Sequence, residues 1–478
     1  MEYLLFCAGS LNLMQSGLNL GWPSYALPQL LRNDSAVPLT NNEGSWVAST
    51  FLLGTMSGSV LLALTVDVFG RRTMLCVTSL PVCASWLMIA YAKSPWYFYL
   101  ARYIAGISDG AAFSCLPLYI AEVCNSNIRG FLISGTIVSA FLGIFIANLL
   151  GAFLSITKVA LICAILAVVP FCLYLSIPES PQFYVIRRKF DKAKISLKKF
   201  NEKGDVDAVL NSLKITWIEQ QANKKIWWQL FFDKNNCKYL GVIIALVVFQ
   251  HSSGIMGITA YIETIFKKVN IEVDPIVFIT VFYLLQIAVA TLNSILIDKV
   301  GRRPLFLIST SLVSCGLFCV TIYFVLENAG QAHMSKYSWL AILGLFVYIV
   351  GYTTGLENIP IVLCSEIFSM NFKAPACGIK NIMFGLIGAA VPKFFQYTKD
   401  KVGTHHIVYF ASVVDKHHLH VAARKRRTTQ TCKREEKEEE EEKTSRNKIK
   451  EISAVKQSTC DDENFTYDLS RIDQISLL

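Results

Sequence analysis

Val66–Arg72 reads VDVFGRR, and Ile297–Arg303 reads IDKVGRR. Both strings put an acid, a glycine and two arginines straight after an apolar run, and they stand almost half a chain apart. A string repeated at that spacing points to two similar halves. The apolar runs in front of the strings say which solvent the halves meet. Throughout the chain such runs come in blocks of about 20 residues, the length that crosses a bilayer core.

Composition agrees. The 478 residues are 53% hydrophobic and only 17% charged, with a mean hydropathy of +0.44. A water-soluble domain has no place for that excess, whereas lipid does. Backbone groups find no water partner in lipid, so each block is predicted to be a helix that bonds internally. The spans fall at roughly 3–30, 46–66, 73–92, 96–120, 130–153, 159–177, 239–262, 275–297, 304–326, 338–363 and 376–397. A twelfth run, HHIVYFASVV (His405–Val414), holds too few apolar residues to span. The first run continues into LGWPSYALPQL without a small-residue cleavage site, so no cleavable signal peptide is expected.

Charge orients the spans. Lys and Arg gather after the second, fourth, sixth and eighth: Arg71 and Arg72, Arg129, the run from Arg187 to Lys238, then Arg302 and Arg303. Lys373 follows the tenth. By the positive-inside rule these ends and the N-terminus are cytosolic. The net charge of +10 is therefore mostly a topology signal. Its spread over several loops, with no single basic stripe, argues against nucleic acid as a partner.

The layout that follows is an all-α multi-pass membrane protein. Residues 1–177 form a six-helix half, and 178–238 a polar, Lys-rich cytosolic linker. Residues 239–415 form a second half with five clear helices and a short or truncated twelfth. Residues 416–478, with the run KREEKEEEEEK, read as a charged disordered tail. Two parallel halves joined by such a linker are a transporter layout, with solute bound at midplane between them. In that layout the acid and arginines of the repeated string can bridge neighbouring helix ends and hold the inner face shut.

Other chemistries find little support. The 14 cysteines lie mostly singly within spans, as at Cys76, Cys83, Cys163, Cys172, Cys315 and Cys319, and read as packing residues. No metal cluster, nucleophile–base set or phosphate-binding loop stands out, so neither an enzyme nor a cofactor is expected. Asn33, in the sequon NDS of the first outside loop, is a glycosylation acceptor candidate. Asn464, in NFT, is a sequon on the side placed inside.

Three further strings carry a family resemblance: YIAEVCNSNIRG (Tyr119–Gly130), SEIFSMNFKAPA (Ser365–Ala376) and PESPQFY (Pro178–Tyr184). Glu122 and Arg129, like Glu366 and Lys373, share one acid-to-base spacing. With the repeated string, they make the chain similar to a sugar porter of the major facilitator superfamily from about residue 10 to 397. It most resembles the insect facilitated trehalose transporters and their glucose-transporter relatives. The resemblance implies the major facilitator fold and a plasma-membrane porter that takes a small-molecule sugar. It also implies an inner-face charge network of Asp67, Arg71, Arg72, Arg102, Glu122, Arg129 and Glu179, with Asp298, Arg302, Arg303, Glu366 and Lys373. Lys373 stands where the family usually has arginine; it keeps the charge and loses the bidentate fork.

The sugar site departs further from the pattern. A sugar hydroxyl both donates and accepts, and so does a buried amide. Where the family reads like QQxSGxN, this chain has QHSSGIM: Gln250 and Gly254 match, while His251 and Met256 differ. Gln286 replaces a family asparagine, Ile361 a tryptophan, and Phe384 and Gly385 an Asn-Trp pair. Gln250, His251 and Gln286 are the implied sugar ligands. Asn19 adds a fourth, at the place where related symporters carry an aspartate; an amide there favours facilitated diffusion over proton coupling. Asp109 and Glu357, acids within spans, keep proton coupling open, and Lys380 is a possible partner for Glu357. A sensor-like homologue without useful flux, and a porter with a changed substrate, stay open as well.

Overall fold

The computed structural model describes residues 1–401 apart from 125, 201–205, 223–231, 233, 270–272, 329–336 and 369. The expected twelfth run, the charged tail and Asn464 lie outside the described residues. Those described form helices and no strand.

The first set is α1 (Glu2–Leu30), α2 (Asn41–Phe69), α3 (Arg71–Ala90), α4 (Pro95–Val123), α5 (Ser126–Phe153) and α6 (Ile156–Ser176). Short helices follow: α7 (Pro181–Ile186), α8 (Phe190–Phe200) and α9 (Val206–Ala222). The second set is α10 (Lys234–Ser252), α11 (Ile255–Lys268), α12 (Pro275–Val300), α13 (Arg302–Asn328), α14 (Ser338–Gly351), α15 (Ile359–Ile367) and α16 (Met370–Lys401).

Ten described segments are long and apolar enough to cross a membrane, counting α10 with α11 and α14 with α15. α1 is as long as α2 but more polar, because Asn12, Gln15, Ser16 and Asn19 line its buried side. Leu64, Phe131, Phe153 and Ile165 are each more than 70% exposed. Side chains of that kind facing outward suit lipid and not water.

Without a hydrophobic drive between helices in lipid, close backbone approach holds them together. Gly54 and Gly58 on α2 face Gly106 and Gly110 on α4. A Cβ at Gly58 would lie 1.9 Å from the Ile107 carbonyl oxygen, and one at Gly106 2.0 Å from that of Phe51. Only hydrogen fits at either place. Between the sets, α2 packs on α16, α5 on α12 and α1 on α11.

The repeated string proves to be a turn with no loop. Gly70 alone separates α2 from α3, and Gly301 alone separates α12 from α13. Their φ values are +94° and +88°, a region that side chains with a Cβ avoid. Each glycine therefore ends one helix and starts the next within a single residue.

Two predicted spans are broken. The run at 239–262 divides at Gly254, whose φ of +84° ends α10 and starts α11. The run at 338–363 opens into a π-turn at Tyr352–Leu356 between α14 and α15. Hydropathy is blind to both, because neither break costs apolar residues.

The linker helices have a small core of their own, Val185, Ala193, Leu197 and Leu210. There Lys194 hydrogen-bonds Asp207 and holds its carboxyl below the usual carboxylate range.

Candidate functional site

The charges gather where α7 meets the bundle. Glu179 is the organising acid. Its carboxylate accepts from the backbone N–H groups of Arg71, Arg72 and Thr73, at 2.9, 3.0 and 3.3 Å. These are orphan donors of the first turn of α3, where the helix dipole also favours an anion. Gly70 makes room for it, since a Cβ there would come within 2.4 Å of Glu179 Oε2.

Arg71, 4% exposed, reaches Glu122 Oε1 through Nη2 at 3.0 Å and Nε at 3.1 Å, and Asp67 through Nη1 at 3.0 Å. The Ser180 hydroxyl donates to the other oxygen of Glu122. Arg72 donates to the carbonyls of Tyr174 and Leu175 at the end of α6. One arginine thus ties α3 to α2 and α4, and the next ties it to α6.

The other expected members of the network divide. Arg129 donates to the Cys124 carbonyl just before its own helix. Arg302 is half-buried and Arg303 exposed, both in the first turn of α13. The side chains of Asp298, Glu366 and Lys373 lie outside the described residues. Arg102 is a correction. It stands near the opposite end of α4, about 30 Å along the helix from Glu122. There it is buried, donating to the Asn19 carbonyl at 2.7 Å with its guanidinium over the Phe51 and Trp22 rings. Motif matching gives a residue's helix and not its depth.

The middle of the bundle is polar on both sides. In the first set, Gln15 donates to the Cys163 carbonyl at 3.2 Å and accepts from Trp86 Nε1 at 3.1 Å. Asn19 donates to the Gln15 carbonyl, leaving its Oδ1 buried without a partner. Asp109 lines the same small pocket as Gln15 and Asn19. Thr55 donates to its Oδ2 at 3.3 Å, and its Oδ1 has no partner.

In the second set the broken helix is held open by side chains. Opening a helix frees carbonyls, and these must be re-bonded within the protein. Ser309 donates to Gly351 at 2.6 Å, and Asn293 to Thr353 at 3.0 Å. The Gln250 amide donates to the Glu357 carbonyl and to the Tyr352 hydroxyl, each at 3.3 Å. Gln286 is 4% exposed on α12. His251 is fully buried against Phe384, ring centroids 4.6 Å apart. Lys380 forms no ion pair with Glu357 among the described residues, contrary to the pairing offered above.

The two sets also touch through polar groups. Asn381 donates to Ser114 Oγ at 2.6 Å. At the end away from the linker, Lys393 donates to Asn42 and to Ser45 and sits 4.5 Å from the Trp46 ring centroid. Gly385 packs on α2, where a Cβ would lie 2.7 Å from the Leu52 carbonyl oxygen. A cavity of about 690 Å³ opens at that same end, lined by residues including Gln29, Arg32, Asn148 and Glu263. Asn33 is exposed on the loop beside it.

Sequence reasoning missed Gln15, Asn293, Tyr352 and Lys393. The first two are amides inside apolar runs, a signal that was visible. The roles of the others depend on which helix they face.

Comparison with known proteins follows the same line. The family model for sugar (and other) transporters matches residues 6–415. The facilitated trehalose transporter of Polypedilum vanderplanki is 26% identical over 420 residues, covering 86% of this chain and 82% of that one. That of Aedes aegypti is 28% identical over 403 residues, covering 83% of this chain and 49% of that one, so this chain spans about half of it. Among solved structures, the Escherichia coli xylose transporter in a partially occluded inward-open conformation gives a TM-score of 0.72 at 17% identity. The match covers 89% of this chain and 98% of that one. At that identity the likeness is one of fold.

Proposed function

The chain belongs to the sugar (and other) transporter family, and from that premise we propose that it moves a hexose or trehalose down its gradient across the plasma membrane. The N-terminus and the linker are cytosolic in this reading, and Asn33 is an extracellular glycan acceptor. Residues 1–177 and 239–415 act as two halves that rock about a central solute. Gln250, Gln286, Asn19 and His251 bind it. Asp67, Arg71, Arg72, Glu122 and Glu179 steady the inner face of the first half. Asp298, Arg302, Arg303, Glu366 and Lys373 do the same in the second.

The observation that carries this reading is the Gln250 amide at the helix break. It is a buried amide, in the half that also contributes Gln286, and a polyol needs a group that can both donate and accept. The test is uptake of radiolabelled trehalose and glucose in cells expressing the full chain, with surface protein measured alongside. Saturable uptake that survives collapse of the proton gradient supports it. Surface protein without uptake favours the sensor-like reading.

A second reading, proton coupling, has one observation in its favour. Asp109 keeps a buried, unpartnered carboxylate oxygen in the pocket it shares with Asn19. An acid at that depth is costly unless it is used. Uptake that falls away with the proton gradient selects this reading.

A further inference from the structure

Two bases are buried on helices that pack together, α10 and α16. Lys380 on α16 is 7% exposed, and His251 on α10 is 0% exposed. Lys380 stands one helical turn before Phe384 on α16, and Phe384 packs on the imidazole. Neither ring nitrogen of His251 has a hydrogen-bond partner, and neither residue forms an ion pair among the described residues. Gly388 gives the ring its space, since a Cβ there would lie 3.0 Å from Cε1.

A buried cation without a counter-charge is costly, and natural sequences keep one where it meets a ligand or a path. Among the described acids, neither Glu357 nor Asp109 supplies the charge. Gln250 and His251 are consecutive, so the helix turns their side chains about 100° apart. Gln250 faces Tyr352 and Glu357, while His251 faces Phe384 and Gly388. Glu357 is therefore about a quarter turn around α10 from His251, and it forms no ion pair with either base among the described residues. Asp109 belongs to the first set of helices and accepts from Thr55 there.

We propose that Lys380 and His251 form an anion subsite between α10 and α16, and that the solute is a polyhydroxylated monocarboxylate, a sugar acid. The inference rests on the sugar-transport reading and changes its solute from a neutral sugar to one that carries a carboxylate. The carboxylate sits between the Lys380 ammonium and an imidazole N–H. Phe384 offers an apolar face to the C–H surface of the sugar, and the Gln250 amide meets a hydroxyl. One ammonium and one imidazole N–H match a single negative charge, whereas a phosphate dianion would call for more donors.

The experiment uses the full chain in proteoliposomes with radiolabelled D-glucuronate and D-glucose, which differ by one carboxylate. Wild type is expected to take up glucuronate in preference to glucose. Lys380→Gln is expected to shift the glucuronate-to-glucose uptake ratio towards glucose by about tenfold or more, and Lys380→Arg to preserve it. If Lys380→Gln does not reach the bilayer folded, His251→Gln gives the same readout. Glucose uptake without glucuronate uptake overturns the subsite and leaves sugar transport standing. Transport of neither by folded protein overturns both. A ratio unchanged by the substitutions removes Lys380 and His251 from recognition.

Discussion

The Gln250 side chain donates to the main-chain carbonyl of Glu357 at 3.3 Å, across the point where the α14–α15 helix opens. The residue offered as a sugar ligand is thus also a brace for the break. Removing it leaves a buried carbonyl unpartnered, at a cost of about 1–3 kcal/mol. Gln250→Ala is expected to lower uptake at least about tenfold at equal surface protein. The double variant with Gln286→Ala is expected to abolish it. Uptake unchanged in both would remove these amides from the solute path.

The pair Arg71–Glu122 is buried on both sides, each side chain 4% exposed. Removing one partner strands the other charge. Glu122→Ala is expected to destabilise the protein by about 3–5 kcal/mol. Thermal unfolding in detergent checks it. A melting temperature within error of wild type would mean that Asp67 alone satisfies the arginine.

Gly58 meets the Ile107 carbonyl with no room for a Cβ, while nothing lies within 4 Å of a Cβ at Gly130. Gly58→Leu is expected to force α2 from α4 and prevent folding, and Gly130→Leu to be tolerated. Monodispersity of the two purified variants by size exclusion distinguishes them. Equal behaviour would refute the close-approach argument.

Lys393 spans from α16 to Asn42, Ser45 and Trp46 of α2. Lys393→Ala is expected to favour opening at that end. A cysteine placed at the fully buried Leu27 should then label faster with a membrane-impermeant thiol reagent. No change in rate would make Lys393 a bystander.

Asp109 separates the two energetic readings. In a uniporter, Asp109→Asn is expected to leave the pH dependence of uptake as it was. In a proton-coupled porter, accumulation against a gradient disappears. Counterflow and accumulation assays on one variant tell these apart.

Much of this was legible in the sequence, and for identifiable reasons. Helix positions follow from blocks of apolar residues, which lipid requires whatever the tertiary contacts. The repeated string marked two similar halves, while the tight turn that its glycine makes at Gly70 and Gly301 showed only in the backbone. The depth of Arg102 was not legible, because a motif places it in α4 without saying which end packs on Asn19 and Phe51. The breaks at Gly254 and Tyr352–Leu356 were hidden for another reason. The groups that hold them open, Ser309 and Asn293 among them, come from distant helices. That His251 and Lys380 form no ion pair among the described residues likewise depends on tertiary contacts, and one chain of letters does not state those.

The single-glycine joints at Gly70 and Gly301 leave no slack between the helices they connect. Each joined pair changes direction at one residue, with no loop to absorb a change in length. An inserted residue would rotate the second helix of the pair by about 100° and turn its buried face towards lipid. Natural length variation and engineered insertions, such as a fluorescent reporter, should therefore be excluded from both joints. They belong in the linker, or in the loop around Asn33.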